Sequence, residues 1–294
     1  MIRPFLELIR FSHTLFALPF ALLAACMAYA ELKADSPILK PFLGVLLCMV
    51  FARSTAMAFN RWADRKIDAL NPRTAARHLP SGRLSSRSVL LFTAVCACGF
   101  VLSCTLFLPS NPIPIVCSVP VLAFLCGYSF AKRWTIASHF WLGAALMLAP
   151  LAAWVAVNPV FSWAPLILGG AVLFWVAGFD IIYACQDHEF DVKMRLRSVP
   201  AMFGIVRSLQ IAAACHMLTL VFLFLLPGVY GKFGVIYCGG VTVIALLLMA
   251  EHLVIRPKRR EESIDLSRVN LAFFHLNAIV SIGLFLIGVI DLCY

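Results

Sequence analysis

Long apolar runs recur along the whole chain and are separated by short polar segments. An α-helix needs about 20 apolar residues to cross a bilayer. The pattern predicts nine such helices, at roughly residues 12–31, 39–59, 88–108, 112–131, 138–157, 164–183, 207–226, 233–252 and 270–291. The sequence therefore predicts an all-α, multi-spanning membrane protein in which residues 1–294 form a single transmembrane domain.

Prolines interrupt the fourth and fifth predicted spans, at Pro112, Pro114, Pro120 and Pro150. Transmembrane helices tolerate proline where neighbouring groups satisfy the freed backbone, so we expect both spans to form. The first span has no clear small-x-small cleavage site, and the chain continues to span after it. We therefore expect it to be a membrane helix and not a removable signal peptide.

Composition supports the membrane assignment, with 62% apolar and 13% charged residues. The net charge of +10 could suggest a nucleic-acid partner, but its distribution argues against one. Twenty of the 24 Lys and Arg residues fall on one side of the predicted membrane, only Lys33, Lys40 and Lys232 fall on the other, and Arg53 lies within the second span. This positive-inside pattern predicts a cytoplasmic N-terminus in a bacterial inner membrane, the lipid bilayer as a partner, and no nucleic acid.

An acidic motif with four-residue spacing occurs twice, each time where an apolar segment ends. The first copy contains Asn60, Asp64 and Asp68, and the second contains Tyr183, Asp187 and Asp191 with a further carboxylate at Asp180. Four-residue spacing places each trio on one face of a helix, about one turn apart. With the predicted orientation, both motifs lie on the cytoplasmic side.

Four carboxylates cannot lie close together unless cations neutralise them. Carboxylate oxygens are the usual protein ligands of Mg²⁺, which commonly also binds the phosphate groups of a substrate. The acidic motifs therefore predict a Mg²⁺-dependent membrane enzyme that acts on a diphosphate.

The two motifs lie 123 residues apart, which is the length of four helices with their loops. Arg73-Thr74, Pro80 and Gly82 follow the first motif, and Arg197-Ser198, Pro200 and Gly204 follow the second. We interpret this parallel as a duplicated four-helix unit with a ninth helix added. The motif loops, which we place at 60–87 and 184–206, are long enough to indicate a functional role, and repeat interfaces commonly hold the site in such proteins.

Several cations lie near these motifs and are candidates for binding phosphate. Arg73 and Arg77 lie one turn apart if their loop is helical, and a guanidinium suits phosphate oxygens. Lys132 ends the fourth span, with Tyr128 one turn before it. Lys132 and Arg133 are also typical of basic residues that anchor the end of a helix at the cytoplasmic face of the membrane. Spacing alone favours this anchor role for Arg133.

Arg53 is unusual because it lies inside a predicted span, seven residues before Asn60 and on the same helical face. A buried arginine requires an anion, which implies either a carboxylate partner or a bound acid. Arg10 opens the first span and is either an interfacial residue or a second contact for such an acid. We expect Arg53 and Arg10 to bind the carboxylate of an acceptor.

The motifs resemble those of the intramembrane aromatic prenyltransferases, the UbiA superfamily. The stretch from Asn60 to Asp68, continued by Asn71-Pro72-Arg73-Thr74 and Arg77-His78-Leu79-Pro80-Ser81-Gly82, is similar to the first Asp-rich motif of the family. The stretch from Asp180 to Asp191 is similar to the second, and Tyr128-Ser129-Phe130-Ala131-Lys132-Arg133 resembles a signature of its fourth helix. The resemblance covers nearly the whole chain.

The resemblance implies nine helices around a central cavity and a set of site residues. Mg²⁺ and diphosphate would be bound by Asn60, Asp64, Asp68, Asp187 and Asp191. Arg73, Arg77 and Lys132 would contact the diphosphate, and Tyr128 and Asp180 would line the reacting centre. The expected reaction transfers a polyprenyl group from a polyprenyl diphosphate to a ring carbon of an aromatic acid, in respiratory quinone synthesis.

The first span departs from the pattern of family members that use 4-hydroxybenzoate. Those members begin with an Arg-x-Asp-x-Pro-x-Gly-like stretch, whereas residues 10–16 here contain no Asp and no Pro-x-Gly. The run resembles a branch that is often labelled 4-hydroxybenzoate polyprenyltransferase, some members of which are thought to act on a dihydroxynaphthoate in a menaquinone route. Both acceptors therefore stay open.

A secondary transporter is the alternative from another class, because repeats and intramembrane charges also fit it. Transporters usually carry discontinuous helices at the middle of the membrane. Here the acidic residues cluster at one predicted membrane face, which favours the enzyme.

Overall fold

The structure, a computed structural model, describes residues 3–9, 16–32, 38–255 and 266–294, with side chains described from 276 onward in the last range. These residues form 11 α-helices. They are α1 (Arg3–Leu8), α2 (Leu18–Ala30), α3 (Leu39–Leu70), α4 (Ser86–Cys104), α5 (Ile113–Ala131), α6 (Ser138–Val157), α7 (Ala164–Ala184), α8 (His188–Lys193), α9 (Val199–Val229), α10 (Val235–Ile255) and α11 (Leu266–Cys293). Short 3₁₀ turns follow α4 and α7.

Within the described residues, eight helices are long and apolar enough to cross a membrane. The remaining predicted span, the first at 12–31, corresponds to α2, an apolar helix of 13 residues whose predicted beginning lies outside the described residues. The prediction of a multi-spanning helical protein is confirmed, and the count of nine agrees approximately. Pro120 and Pro150 lie inside continuous helices, as the fourth and fifth spans required.

The long helices are arranged in a closed ring. Each of α2 to α7 packs against the next, α7 packs against α9, α9 against α10 and α10 against α11, and α11 returns to α2. The helix α7 is the most deeply packed, with 67% of its spanning window buried, because α6 and α9 cover opposite sides of it. It carries Asp180 and Tyr183 and leads directly into the rest of the second acidic motif.

The helix α3 has 32 residues, 11 more than its predicted apolar span. At about 1.5 Å per residue it is about 48 Å long, which exceeds the roughly 30 Å hydrocarbon core of a bilayer. The first acidic motif lies on this extension, so the prediction of a loop from residue 60 is wrong: the loop begins at Asn71. Asp187 ends a 3₁₀ turn and Asp191 lies in α8, so the second motif is also largely helical.

The segments that follow the two motifs each contain a glycine with a positive φ and a serine that caps a helix. Gly82 and Gly204 have φ angles of 74° and 75°, in the left-handed region that glycine adopts without a steric penalty. Ser85 caps α4 and Ser198 caps α9, each accepting a hydrogen bond from a backbone N–H of the first turn. Gly82 lies in the loop before α4, whereas Gly204 lies inside α9 and kinks that helix, so the two segments are similar in composition but differ in where the glycine falls.

Candidate active site

The first acidic motif lies on one face of the C-terminal part of α3. Asp64 and Asp68 are each 4% exposed, and Asn60 Nδ2 donates to Asp64 Oδ2 at 3.3 Å. Burial of two carboxylates is unfavourable unless each has a charged or hydrogen-bonding partner. The charged partners of both carboxylates come from outside α3.

Asp64 is neutralised by the end of α5. Lys132 Nζ lies 3.0 Å from Asp64 Oδ2, and Arg133 Nη2 lies 3.3 Å from Asp64 Oδ1 while donating to the Ala63 carbonyl at 2.8 Å. The interpretation of Arg133 as an anchor only is therefore incomplete, because its guanidinium reaches the acidic motif. Two cations on one carboxylate form a positively charged rim beside the first motif.

Asp68 is paired with the loop after α3. Arg77 Nη1 lies 2.8 Å from both oxygens of the Asp68 carboxylate, and Thr74 Oγ1 donates to the Asp68 carbonyl. These bonds fold the loop back over the helix that precedes it. The loop is a series of turns, so Arg73 and Arg77 do not lie on one helical face and they contact different carboxylates.

Arg73 connects the first loop to the second motif. Its Nε donates to Asp187 Oδ1 at 2.9 Å, its Nη2 donates to Asp187 Oδ2, and its Nη1 donates to the Tyr183 hydroxyl at 2.7 Å. Asn71 Nδ2 donates to Asp187 Oδ1 at 2.9 Å. Burial alone would lower the pKa of Arg73, but the hydrogen bonds to Asp187 and Tyr183 raise it above its ordinary value, so the guanidinium stays charged.

One polar cavity of about 300 Å³ is lined by both acidic motifs and by their cations. Its lining residues include Asn60, Asp64, Asp68, Arg73, Arg77, Tyr128 and Lys132 from α3, the loop after α3 and the end of α5, and His139, Asp180, Tyr183, Asp187 and Asp191 from α6 to α8. The structure therefore brings together every described site residue that the sequence predicts. Arg10 lies outside the described residues.

An apolar cavity of about 340 Å³ adjoins the polar one, with walls from α3, α5 and α6. The two share the lining residues Arg53, Met57, Tyr128, Leu142 and Leu146. Along α5 the apolar cavity extends from Tyr128 to Ile113, which is about 22 Å at 1.5 Å per residue. The charged cavity and the long apolar cavity are therefore neighbours that share part of their walls.

Arg53 lies where the two cavities meet. Its Nε is buried without a hydrogen-bond partner, and among the described residues no carboxylate lies within ion-pair distance of it. Of the two alternatives for Arg53, a carboxylate partner or a bound acid, the carboxylate partner is therefore not found within the described part of the chain. A buried guanidinium with an unpaired donor at a cavity wall is suited to binding an anionic group of a ligand.

The donor set of the polar cavity fits Mg²⁺. It consists of oxygen donors, which this ion prefers, and Mg²⁺ commonly binds one or two carboxylates together with substrate phosphate. Among the described residues no three His, Cys, Asp or Glu side chains converge as a closed metal site. The residues that would hold the ion, with phosphate oxygens completing its coordination, are Asn60, Asp64, Asp68, Asp187 and Asp191.

Comparison with known families gives the class of protein. The model of the UbiA prenyltransferase family matches residues 17–278. The chain belongs to the UbiA prenyltransferase family and is an integral membrane prenyltransferase.

Similar curated proteins include two 4-hydroxybenzoate octaprenyltransferases. That of Pseudoalteromonas translucida is 32% identical over 255 residues, covering 82% of this chain and 82% of the relative. That of Nitrosomonas eutropha is 32% identical over 238 residues, covering 80% and 78%. The matches extend over most of both chains, which agrees with the near-complete coverage of the family resemblance.

Two solved structures have the same fold. A UbiA homolog from Aeropyrum pernix K1 in its apo form superposes with a TM-score of 0.82 at 30% identity, covering 95% of this chain and 98% of that one. A UbiA homolog from Archaeoglobus fulgidus bound to GPP and Mg²⁺ superposes with a TM-score of 0.70 at 22% identity, covering 99% and 100%.

Two residues of the cavity wall, Asn71 and His139, and the neighbouring Arg133 were not predicted as parts of the site. Arg133 contacts Asp64, Asn71 contacts Asp187, and His139 contacts Asp180. Each is polar and adjacent in sequence to a predicted element, but such positions are common in loops at helix ends. Only the packing of separate helices reveals the contacts.

Proposed function

We propose that this protein transfers a polyprenyl group from a polyprenyl diphosphate to a ring carbon of an aromatic acid, with Mg²⁺, in respiratory quinone synthesis. The observation that carries the proposal is a polar cavity, lined by both acidic motifs and their cations, that shares Arg53 and Tyr128 in its wall with an adjoining apolar cavity. The curated relatives named as 4-hydroxybenzoate octaprenyltransferases support 4-hydroxybenzoate as the acceptor.

The polar cavity suits the diphosphate. Mg²⁺ held by the two motifs would act as a Lewis acid on the diphosphate, and the A. fulgidus homolog solved with GPP and Mg²⁺ supports this pairing. Lys132, Arg73 and Arg77 carry positive charge to the same chamber and would stabilise the leaving group as its negative charge grows. Their present partners, Asp64, Asp187 and Asp68, hold them in place.

The apolar cavity suits the isoprenoid chain. Its walls from α3, α5 and α6 are made almost entirely of aliphatic, aromatic and thiol side chains. Apolar surface removed from water there would contribute about 25 cal/mol per Å² to binding. The allylic carbon would then lie where the cavities meet, next to Tyr128.

The acceptor is proposed to bind through its carboxylate to Arg53, and to Arg10 if that residue reaches the cavity. Arg53 offers an unpaired buried donor at the junction of the cavities. An aromatic acid held there would present its ring to the allylic carbon. The positive-inside pattern supports a cytoplasmic N-terminus, which would place the polar cavity on the side from which soluble aromatic acids arrive.

The test is turnover by the purified protein in detergent with Mg²⁺ and a polyprenyl diphosphate. We expect Asp64→Asn and Asp187→Asn each to abolish product formation while the protein stays folded, and chelation of Mg²⁺ to do the same to the unmodified protein. Glu189→Gln is the matched control, because Glu189 is an exposed carboxylate between Asp187 and Asp191. Normal turnover in either Asp variant would refute the assignment.

The acceptor is decided by offering 4-hydroxybenzoate and a dihydroxynaphthoate separately. Product with 4-hydroxybenzoate supports the acceptor proposed here. Product only with the naphthoate would move the protein to menaquinone synthesis and make the departure in residues 10–16 part of acceptor selection. Uptake of an organic acid into liposomes without Mg²⁺ or a prenyl donor would instead favour a transporter.

A further inference from the structure

A buried histidine in the wall of the polar cavity holds the Asp180 carboxylate. His139 Nδ1 lies 2.7 Å from Asp180 Oδ2, and the backbone N–H of Val199 donates to His139 Nε2 at 3.3 Å. His139 is 4% exposed, whereas the Asp180 side chain is 27% exposed and lines the polar cavity. The imidazole is therefore the more buried partner of the pair, and the carboxylate is the more exposed one.

The two contacts define one tautomer of His139. Because Nε2 accepts a hydrogen bond from Val199, it carries no proton, so Nδ1 carries the proton and donates it to Asp180. A proton on both nitrogens would place an N–H of the ring against the N–H of Val199. The neutral Nδ1–H imidazole is thus the form that satisfies both partners.

The pair leaves one carboxylate oxygen to the cavity. His139 occupies Asp180 Oδ2, and Oδ1 has no hydrogen-bond partner among the described residues. His139, Leu142 and Leu146 lie on one face of α6, and the two leucines line the junction of the cavities. Because Asp180 also lines the polar cavity, its unpaired oxygen is available to a group bound near that junction.

We propose that His139 is a positioning residue, which holds the Asp180 carboxylate so that Oδ1 accepts the proton that the aromatic acceptor loses. This inference rests on the proposed function. The ring carbon forms a bond to the allylic carbon, and the bond from that carbon to the diphosphate oxygen breaks, with the electron pair leaving on diphosphate. The ring C–H electrons then restore aromaticity as the proton passes to Asp180 Oδ1, so no oxidant or reductant is needed.

Two substitutions separate this role from a structural one. His139→Asn keeps a side-chain N–H near the place of Nδ1, so it can still donate to Asp180 but cannot reach Val199. His139→Gln places its amide oxygen near the place of Nε2, so it can still accept from Val199 but no longer holds Asp180 in the same way. A merely structural histidine would be replaced better by Gln, and a positioning histidine by Asn.

We expect His139→Gln to lower kcat by about 10- to 100-fold, a part of the roughly 10²- to 10⁴-fold that positioned proton transfer supplies. The KM for the prenyl diphosphate should stay unchanged, and a kinetic isotope effect should appear, or increase, with an acceptor deuterated at the reacting ring carbon. His139→Asn should recover at least tenfold of that loss, in line with the same range. In an Asp180→Asn background, His139→Gln should have no further effect, because the carboxylate it positions is gone.

Better activity of the Gln variant than of the Asn variant, or additive losses in the double variant, would overturn the proposal. Nitrogen NMR of ¹⁵N-histidine-labelled protein tests the pair without any acceptor, with the His139 signals assigned from their loss in His139→Asn. One protonated Nδ1 and one unprotonated Nε2 are expected, and a protonated Nε2 would refute the tautomer. Absence of product from the unmodified protein with either acceptor would refute the proposed function. If the unmodified protein is active but His139→Gln is more active than His139→Asn, only the role of His139 is refuted.

Discussion

Lys132 Nζ lies 3.0 Å from Asp64 Oδ2, so the end of α5 neutralises the centre of the acidic motif on α3. From the sequence, Lys132 is a candidate for binding the diphosphate and Asp64 is a candidate for binding Mg²⁺, and this contact joins the two. A lysine held in this way needs little rearrangement to bind a phosphate oxygen next to a carboxylate-bound ion. Pre-organised charge of this kind commonly supplies a large part of the rate enhancement of an enzyme.

Loss of the Lys132 charge should therefore reduce turnover strongly. We expect Lys132→Met to lower kcat by about 10²- to 10³-fold, the range found when one stabilising donor is removed from a developing negative charge. Lys66→Met is the control, because Lys66 is exposed on the same cytoplasmic extension of α3 and should keep wild-type turnover. Steady-state kinetics with a saturating prenyl donor measure both, and equal turnover in the two variants would remove Lys132 from the catalytic set.

Arg53 should control binding of the acceptor and not of the donor. Loss of a buried charged contact typically costs about 2–5 kcal/mol, so we expect Arg53→Gln to raise the KM for the aromatic acid by at least about 30-fold. The KM for the prenyl diphosphate should not change. Arg87→Gln, at an exposed position near the start of α4, is the control. An increase in the KM of the donor alone would assign Arg53 to the diphosphate.

The apolar cavity should select the length of the prenyl chain. Val121 lines it about midway between Tyr128 and Ile113, whereas Val119 on the same helix is 66% exposed and does not line it. A tryptophan at Val121 would fill space that a long chain needs, since cavity walls packed at protein density have little room for extra volume. We expect Val121→Trp to abolish turnover of long polyprenyl donors and to spare dimethylallyl diphosphate.

Val119→Trp adds the same volume on the outer side of α5 and should leave the preference for chain length unchanged. Relative kcat/KM values for a series of donors, measured for both variants, give the comparison. If both variants accept long donors equally well, the chain does not occupy this cavity.

The helical parts of the site could be predicted because they depend on local periodicity. The spacing of Asn60, Asp64 and Asp68 places all three on one face of any α-helix, and α3 continues through them. The end of α3 could not be taken from hydropathy, since Arg61, Asp64, Arg65, Lys66 and Asp68 interrupt the apolar run while the backbone stays helical. Hydropathy marks the membrane boundary, whereas backbone hydrogen bonds set the helix end.

The cations that pair with Asp64 and Asp187 could not be assigned to these carboxylates, because they come from distant parts of the chain. Arg73 pairs with Asp187 across 114 residues, and Arg133 reaches Asp64 across 69. No spacing rule relates such positions, and the pairing depends on which helices are neighbours in the ring. Sequence supplied the types of group in the site, and helix packing determined which groups meet.

The contact between α6 and α7 leads to a prediction about stability. A Cβ atom at Gly143 would lie 2.3 Å from the Leu173 carbonyl oxygen, a backbone atom that cannot move aside without shifting the helix. Small residues allow such close approach of membrane helices, and overpacking typically costs about 1–3 kcal/mol. Gly143 lies four residues after His139, and Leu173 lies seven before Asp180. Separation of the two helices should therefore also weaken the His139–Asp180 hydrogen bond.

We expect Gly143→Ala to lower the thermal unfolding midpoint in detergent and to reduce turnover at temperatures where the variant is still folded. Gly239→Ala on α10 is the matched control, since its Cβ would meet nothing within 4 Å. There the loss of backbone freedom in the unfolded chain should leave stability unchanged or raise it by up to about 1 kcal/mol. An unfolding midpoint for Gly143→Ala at or above that of the unmodified protein would show that α6 and α7 separate at little cost. Normal turnover of this variant would show that the His139–Asp180 pair does not depend on the close approach of the two helices.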